Sequence, residues 1–201
     1  MTTKVLERSV RVLIEDFLVR FRVQISTLLI AALILEDILF WTLPNYGWFD
    51  DPSWRGLLGP LLVIAGLGVR SWAAGVLRKG FDLTTEGPYS LCRHPLYFGS
   101  FLMMAGFCLV IGYWHDFLVI FGPILLIYLL TMRREERRLA QAYGPRWEAY
   151  VAQTPILLPF RPHSYRPGRW TLQQWCKSRE YRAAGGGLVA LLALEIWRLT
   201  C

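Results

Sequence analysis

From Pro95 to Trp114 the chain carries no charged side chain. A hydrocarbon core of about 30 Å is crossed by roughly 20 helical residues, and inside it each backbone N–H and C=O must find its partner within the protein. A run of this length and polarity folds as a helix across a bilayer, and it sets the reading of the rest. Similar segments fall at about 21–43, 57–77, 116–132 and 183–199. The expected fold is therefore all-α: an integral membrane helical bundle of about five transmembrane helices, with a cytoplasmic helical cap and an N-terminal interfacial helix. Glu36 and Asp37 break into the first segment and Glu195 into the last. Charges at such depth face the interior of a bundle rather than lipid.

The net charge of +7 would point to nucleic acid in a soluble protein, but 54% hydrophobic residues against 18% charged is too apolar for one. Topology explains the cations better, and no nucleic-acid partner is expected. Of the 22 Lys and Arg residues, Arg55 alone falls in a loop assigned outside, and Arg70 and Arg198 lie in or at the end of spans. All the others share one side with the N-terminus, the 78–95 loop and residues 133–182. The positive-inside rule makes that side cytoplasmic. A multi-pass protein results, with its N-terminus and Arg-His-Pro loop in the cytoplasm, in the inner membrane of a bacterium or the endoplasmic reticulum of a eukaryote. Cys92, Cys108, Cys176 and Cys201 have neither metal-ligand spacing nor the density of a disulfide framework, so they read as structural thiols and no metal is expected.

The chain reads as one membrane domain, 1–201. Residues 1–20 do not read as a cleaved signal peptide; Val10, Leu13, Ile14, Phe17, Leu18 and Phe21 share a helical face, as expected of an interfacial helix or a cap packed on the protein. Four membrane helices occupy 21–132 and enclose a loop at 85–99. Segments three and four are joined so closely that they predict a tight antiparallel hairpin. Ser71 and Gly75 offer a small-residue face for helix packing. Cytoplasmic helices follow over 133–160, where Leu139, Tyr143, Trp147 and Tyr150 or Val151 make an apolar stripe. Gly144-Pro145 breaks that stripe, because Gly suits a helix C-terminus and Pro the first turn of the next helix. A basic linker, 161–182, is read as resting on anionic headgroups ahead of the fifth membrane helix at 183–199.

Chemistry concentrates in GPYSLCRHPLYFG, residues 87–99. Gly87-Pro88 and His94-Pro95 restrict the backbone on both sides of Arg93 and His94. The pair serves either as juxtamembrane anchors or as a ligand site: a guanidinium fork takes carboxylate or phosphate bidentately, and an imidazole adds a directional donor or acceptor. Glu135 and Glu136, set among Arg133, Arg134, Arg137 and Arg138, form either a solvated charge cluster or the second half of a site for a zwitterion. Arg70 either snorkels or faces a cavity.

These residues resemble a known family. GPYSLCRHPLYFG, then an uncharged segment, EERRLAQAYGPRWEAY and a Pro-containing LLPF look like the membrane methyltransferases of the isoprenylcysteine carboxyl methyltransferase and phospholipid methyltransferase group, over residues 85–160. The resemblance implies a cytoplasm-facing pocket for S-adenosyl-L-methionine and a lipid or lipid-linked acceptor entering from the bilayer. Carried over residue by residue, the cofactor-binding positions are Gly87, Pro88, Tyr89, Arg93, His94, Tyr97, Gly99, Glu135, Glu136 and Tyr143, and the catalytic ones His94, Glu136 and Arg93. One departure stands out: the family often has Pro-Arg before its last Leu-Pro, whereas here Ile156 follows Pro155. Any role of that Arg is missing or supplied elsewhere. Two other readings share these residues. Sterol reductases that use NADPH have similar Arg-His-Pro and Tyr-Gly blocks, and a non-catalytic lipid-binding protein could retain the pocket.

Overall fold

The computed structural model describes residues 54–78, 82–112, 114–158 and 165–200, with scattered positions between 17 and 39. Among the described residues the chain is helical, without strands. The helices are α1 (Trp54–Val76), α2 (Pro95–Ile111), α3 (Trp114–Val119), α4 (Leu125–Tyr143), α5 (Pro145–Gln153), α6 (Leu172–Lys177) and α7 (Glu180–Thr200). A 3-10 turn, Gly87–Ser90, precedes α2, and a π turn, Ile120–Ile124, lies between α3 and α4. Two stretches, Gly56–Val76 and His115–Tyr143, are long and apolar enough to cross a membrane; Pro95–Ile111 is apolar but shorter. The expected interfacial helix at 1–20 and most of the first span lie outside the described residues.

The chain divides into two compact units. One comprises 43–113 and 139–201. Here α1 is built with its large side chains outward: Leu57, Leu58, Leu61 and Ile64 are exposed, while Gly59, Val63, Gly66 and Leu67 are buried. That inversion suits a helix whose outer face meets lipid and whose inner face must approach another helix closely. The partner is α2. A Cβ added at Gly66 would lie 2.5 Å from the carbonyl oxygen of Gly99, and one at Gly106 would lie 2.5 Å from that of Gly59. Gly59 and Gly66 thus face Gly106 and Gly99 in an antiparallel seam. Above it Val63, Leu67, Val110 and Leu191 make a core into which Met103, Phe107 and Leu194 pack, bringing in α7. The small pair noted in the sequence, Ser71 and Gly75, is used otherwise: Gly75 receives the indole of Trp170.

The other unit comprises 1–42 and 114–138. Here α3 begins at Trp114, with a buried Asp116 in its first turn, where a carboxylate complements the helix dipole. His115 Nε2 lies 3.1 Å from Glu36 Oε2. The π turn coincides with Gly122-Pro123, where proline's missing N–H interrupts the α ladder. Beyond it the chain stays helical through Arg133–Arg138 to Tyr143, so the apolar stretch at 125–132 and the charged one after it are one continuous element. No Gly or Pro intervenes between 125 and 143, and Arg, Glu, Leu and Ala are good helix formers. The break comes where Gly144-Pro145 puts it: Gly144 has φ +49 and Pro145 opens α5.

Candidate functional site

The loop before α2 is shaped by its own sequence and then pinned from afar. Gly87 takes φ +58, a conformation that L side chains rarely adopt, and Pro88 starts the 3-10 turn. Ser90 Oγ donates to the Gly87 carbonyl at 2.7 Å, and the N–H groups of Leu91 and Cys92 both reach the Pro88 carbonyl. His94 caps α2, Pro95 fills its first position, and the Phe98 N–H donates to the His94 carbonyl at 3.0 Å.

Distant contacts come from α5 and the segment after it. Tyr150 donates its hydroxyl to the Tyr89 carbonyl at 2.7 Å. The Arg93 N–H donates to the Pro155 carbonyl at 2.9 Å, and the His94 N–H to the Ile156 carbonyl at 3.1 Å. The Arg93 guanidinium carbon sits 6.0 Å from the centre of the Trp147 ring, a cation–π contact of about 0.5–1 kcal/mol. His94 is 5% exposed, and its ring centre is 5.5 Å from that of Tyr97. Cys92 is buried beside this pair, and burial pushes its thiol up to about 11 against the opposing pull of a hydrogen bond with the His94 backbone. It stays a neutral thiol at ordinary pH rather than a nucleophile.

The two sequence blocks therefore meet, through main chain as much as side chain. Pro155 and Ile156, where the family pattern has Pro-Arg, contribute carbonyl oxygens, and a carbonyl is indifferent to the side chain of its residue. Tyr89, Arg93, His94 and Tyr97 are gathered in this one unit, and Tyr143 is half-buried at the end of α4. Gly99 is taken up by packing against Gly66 and the stem of Arg70. Glu135 and Glu136 sit on α4 within the other unit, Glu136 the less exposed of the two.

Sequence reasoning missed the partner of Arg70. Its Nε and Nη2 grip the Glu180 carboxylate at 2.7 and 3.0 Å, and Nη1 reaches Ser100 Oγ at 2.5 Å. One guanidinium ties α1, α2 and the start of α7 together. The available signal was charge alone, an isolated Arg in one span and a Glu at the head of another. Among the described residues no three His, Cys, Asp or Glu side chains are placed to hold a metal ion.

A model of the phospholipid methyltransferase family matches residues 54–146. The chain is 33% identical over 173 residues to the cobalt-zinc-cadmium resistance protein CzcN of Cupriavidus metallidurans, a match that takes in 79% of this chain and 73% of that one. It is 34% identical over 82 residues to the methanethiol S-methyltransferase of Crocosphaera subtropica, covering 38% of this chain and 29% of the relative. The Delta(14)-sterol reductase of Ascobolus immersus is 33% identical over 76 residues, or 36% of this chain and 17% of the reductase. No solved structure matches.

Proposed function

Because the chain belongs to the phospholipid methyltransferase family, we propose that it transfers a methyl group from S-adenosyl-L-methionine to a lipidic acceptor at the cytoplasmic face of a membrane it spans several times. The observation that carries this reading is the junction of the two motif blocks, with the Arg93 and His94 N–H groups held by the Pro155 and Ile156 carbonyls. A loop fixed by three distant atoms, Tyr150 Oη and the Pro155 and Ile156 carbonyl oxygens, presents its side chains in one geometry, as a site requires.

The donor set fits the cofactor. S-adenosylmethionine, when bound, supplies a methyl group on a positively charged sulfur. Arg93 takes its carboxylate through the guanidinium fork. The faces of Tyr89 and Tyr97 favour the cation. Glu135 and Glu136 remain cofactor-binding candidates on the strength of their place in the motif alone. An acceptor amine, thiol or carboxyl must shed its proton, and His94 or Glu136 is the proposed base. The remaining work is orientation, which effective molarity values at on the order of 7–11 kcal/mol in favourable cases. The exposed leucines of α1 and of α7, such as Leu188 and Leu192, suit an acceptor that arrives through lipid.

Purified protein in detergent is titrated with S-adenosylhomocysteine, and methyl transfer from labelled cofactor into a total lipid extract is followed. Arg93→Ala and Glu136→Gln are each expected to weaken binding at least tenfold while the helical spectrum holds. Absence of binding by the wild type sinks the reading. Thermal stabilisation by NADPH in its place would favour a reductase.

A further inference from the structure

The family model ends at residue 146, yet chain well beyond that point reaches back to the Gly87–Ser90 turn. The Arg166 carbonyl accepts the Gly87 N–H at 2.7 Å, and the Arg166 N–H donates to Ser90 Oγ at 3.3 Å. Gly168 packs so closely that a Cβ there would lie 2.8 Å from the Gly87 nitrogen and 2.8 Å from Val76 Cγ1. Two residues on, the Trp170 indole lies over Gly75 and donates to the Ser71 carbonyl at 3.0 Å. The Thr171 N–H donates to the Gly75 carbonyl at 2.9 Å, and Ser178 Oγ reaches the Ala74 carbonyl at 3.5 Å. A helix leaves its last four carbonyls without intrahelical partners. Here the distant segment supplies donors to two of those at the end of α1, from Thr171 and Ser178, and grips the turn with Arg166 and Gly168.

We propose that residues 165–171 are a strap that positions the cofactor-binding turn, with Trp170 as its anchor and the Arg70–Glu180 pair fixing the chain that follows it. This deepens the methyl-transfer reading and rests on it for the identity of the ligand. Trp170 is a positioning residue: it acts through Gly87 and Ser90, and 46% of its surface stays exposed. Its contact depends on Gly75, since any side chain there would occupy the space of the indole. The functional unit of this protein accordingly runs past the second motif block as far as Glu180.

The test compares wild type with Trp170→Ala, Trp170→Phe and Gly168→Ala in detergent, using amide hydrogen exchange over residues 87–92 and kinetics with S-adenosylmethionine and lipid extract. In Trp170→Ala, exchange at Gly87 is expected to speed up at least tenfold. KM for the cofactor should rise about tenfold, equivalent to about 1.4 kcal/mol, with kcat within about twofold. Trp170→Phe, which keeps a ring over Gly75 but loses the N–H, should recover part of both effects. Gly168→Ala should resemble Trp170→Ala. Wild-type protection at Gly87 in Trp170→Ala overturns the inference, and so does lost protection with an unchanged cofactor KM. If the wild type binds no S-adenosylhomocysteine, the methyl-transfer reading falls; the strap is then decided by the exchange result alone.

Discussion

Along its length α2 packs on α1 through glycines, whereas the loop that feeds its N-terminus is held by hydrogen bonds to residues far along the chain. In the seam, Gly66 and Gly99 bring two backbones so near that an added Cβ would meet a carbonyl oxygen. In the loop, main-chain atoms of Gly87, Tyr89, Arg93 and His94 engage Arg166, Tyr150, Pro155 and Ile156. Shape complementarity tolerates no added atom but is indifferent to chemistry. A main-chain bond tolerates many side chains but demands that its distant partner be in place. The two regions should therefore fail in different ways when altered.

The largest effect is expected where they join. Arg70 lays its stem against Gly99 and places its head on Glu180. Arg70→Met leaves a buried carboxylate alone, which typically costs about 3–5 kcal/mol; the lower end applies because the Arg70 side chain is 21% exposed. Denaturant unfolding in detergent measures it. Adding Glu180→Leu should return much of the loss, since an apolar pair needs no counter-charge. A wild-type midpoint for the single variant would remove Arg70 from the joint.

Next comes the seam. Gly66→Ala puts a methyl against backbone that cannot step aside and should destabilise by about 1–3 kcal/mol. Gly68→Ala, on the same helix with nothing within 4 Å of its added Cβ, should be neutral or stabilising by up to about 1 kcal/mol. Equal effects at the two positions, read as unfolding midpoints, would dissolve the contrast between seam and loop.

The smallest effect lies in the loop and depends on pH. The Cys92 thiol is raised from 9.0 to about 11 by burial. Below pH 9 it is protonated in both folded and unfolded chain, so the folded state is under no penalty. Between pH 9 and 11 the unfolded chain ionises first, and stability is lost as pH rises. The midpoint of wild type should fall more steeply than that of Cys92→Ala across this window. At pH 7 a maleimide should label the exposed Cys176 before Cys92.

Much of this was legible in the residues. The helical class, two of the long apolar helices and the break at Gly144-Pro145 came from local pattern, and the structure places α1 and α2 within a few residues of the expected spans. The loop at 87–99 announced itself through its prolines and its basic pair. Less legible was the unbroken run of α4 through Arg133–Arg138, because a membrane boundary marks no change in backbone geometry. Gly59, Gly66, Gly99 and Gly106 sat in plain view at matching spacing, yet spacing alone does not say which helix faces which.

Periodicity, turn chemistry and the scarcity of charge are properties of neighbours in the chain, so residue order was enough to establish a helical membrane protein with a rigid basic loop. Which carbonyls hold Arg93 and His94, which carboxylate answers Arg70 and which indole rests on Gly75 are pairings between residues far apart in sequence. Such pairings carry no local signature. They come into being when helices pack, because a buried donor or charge accepts whatever partner the closed structure brings within reach.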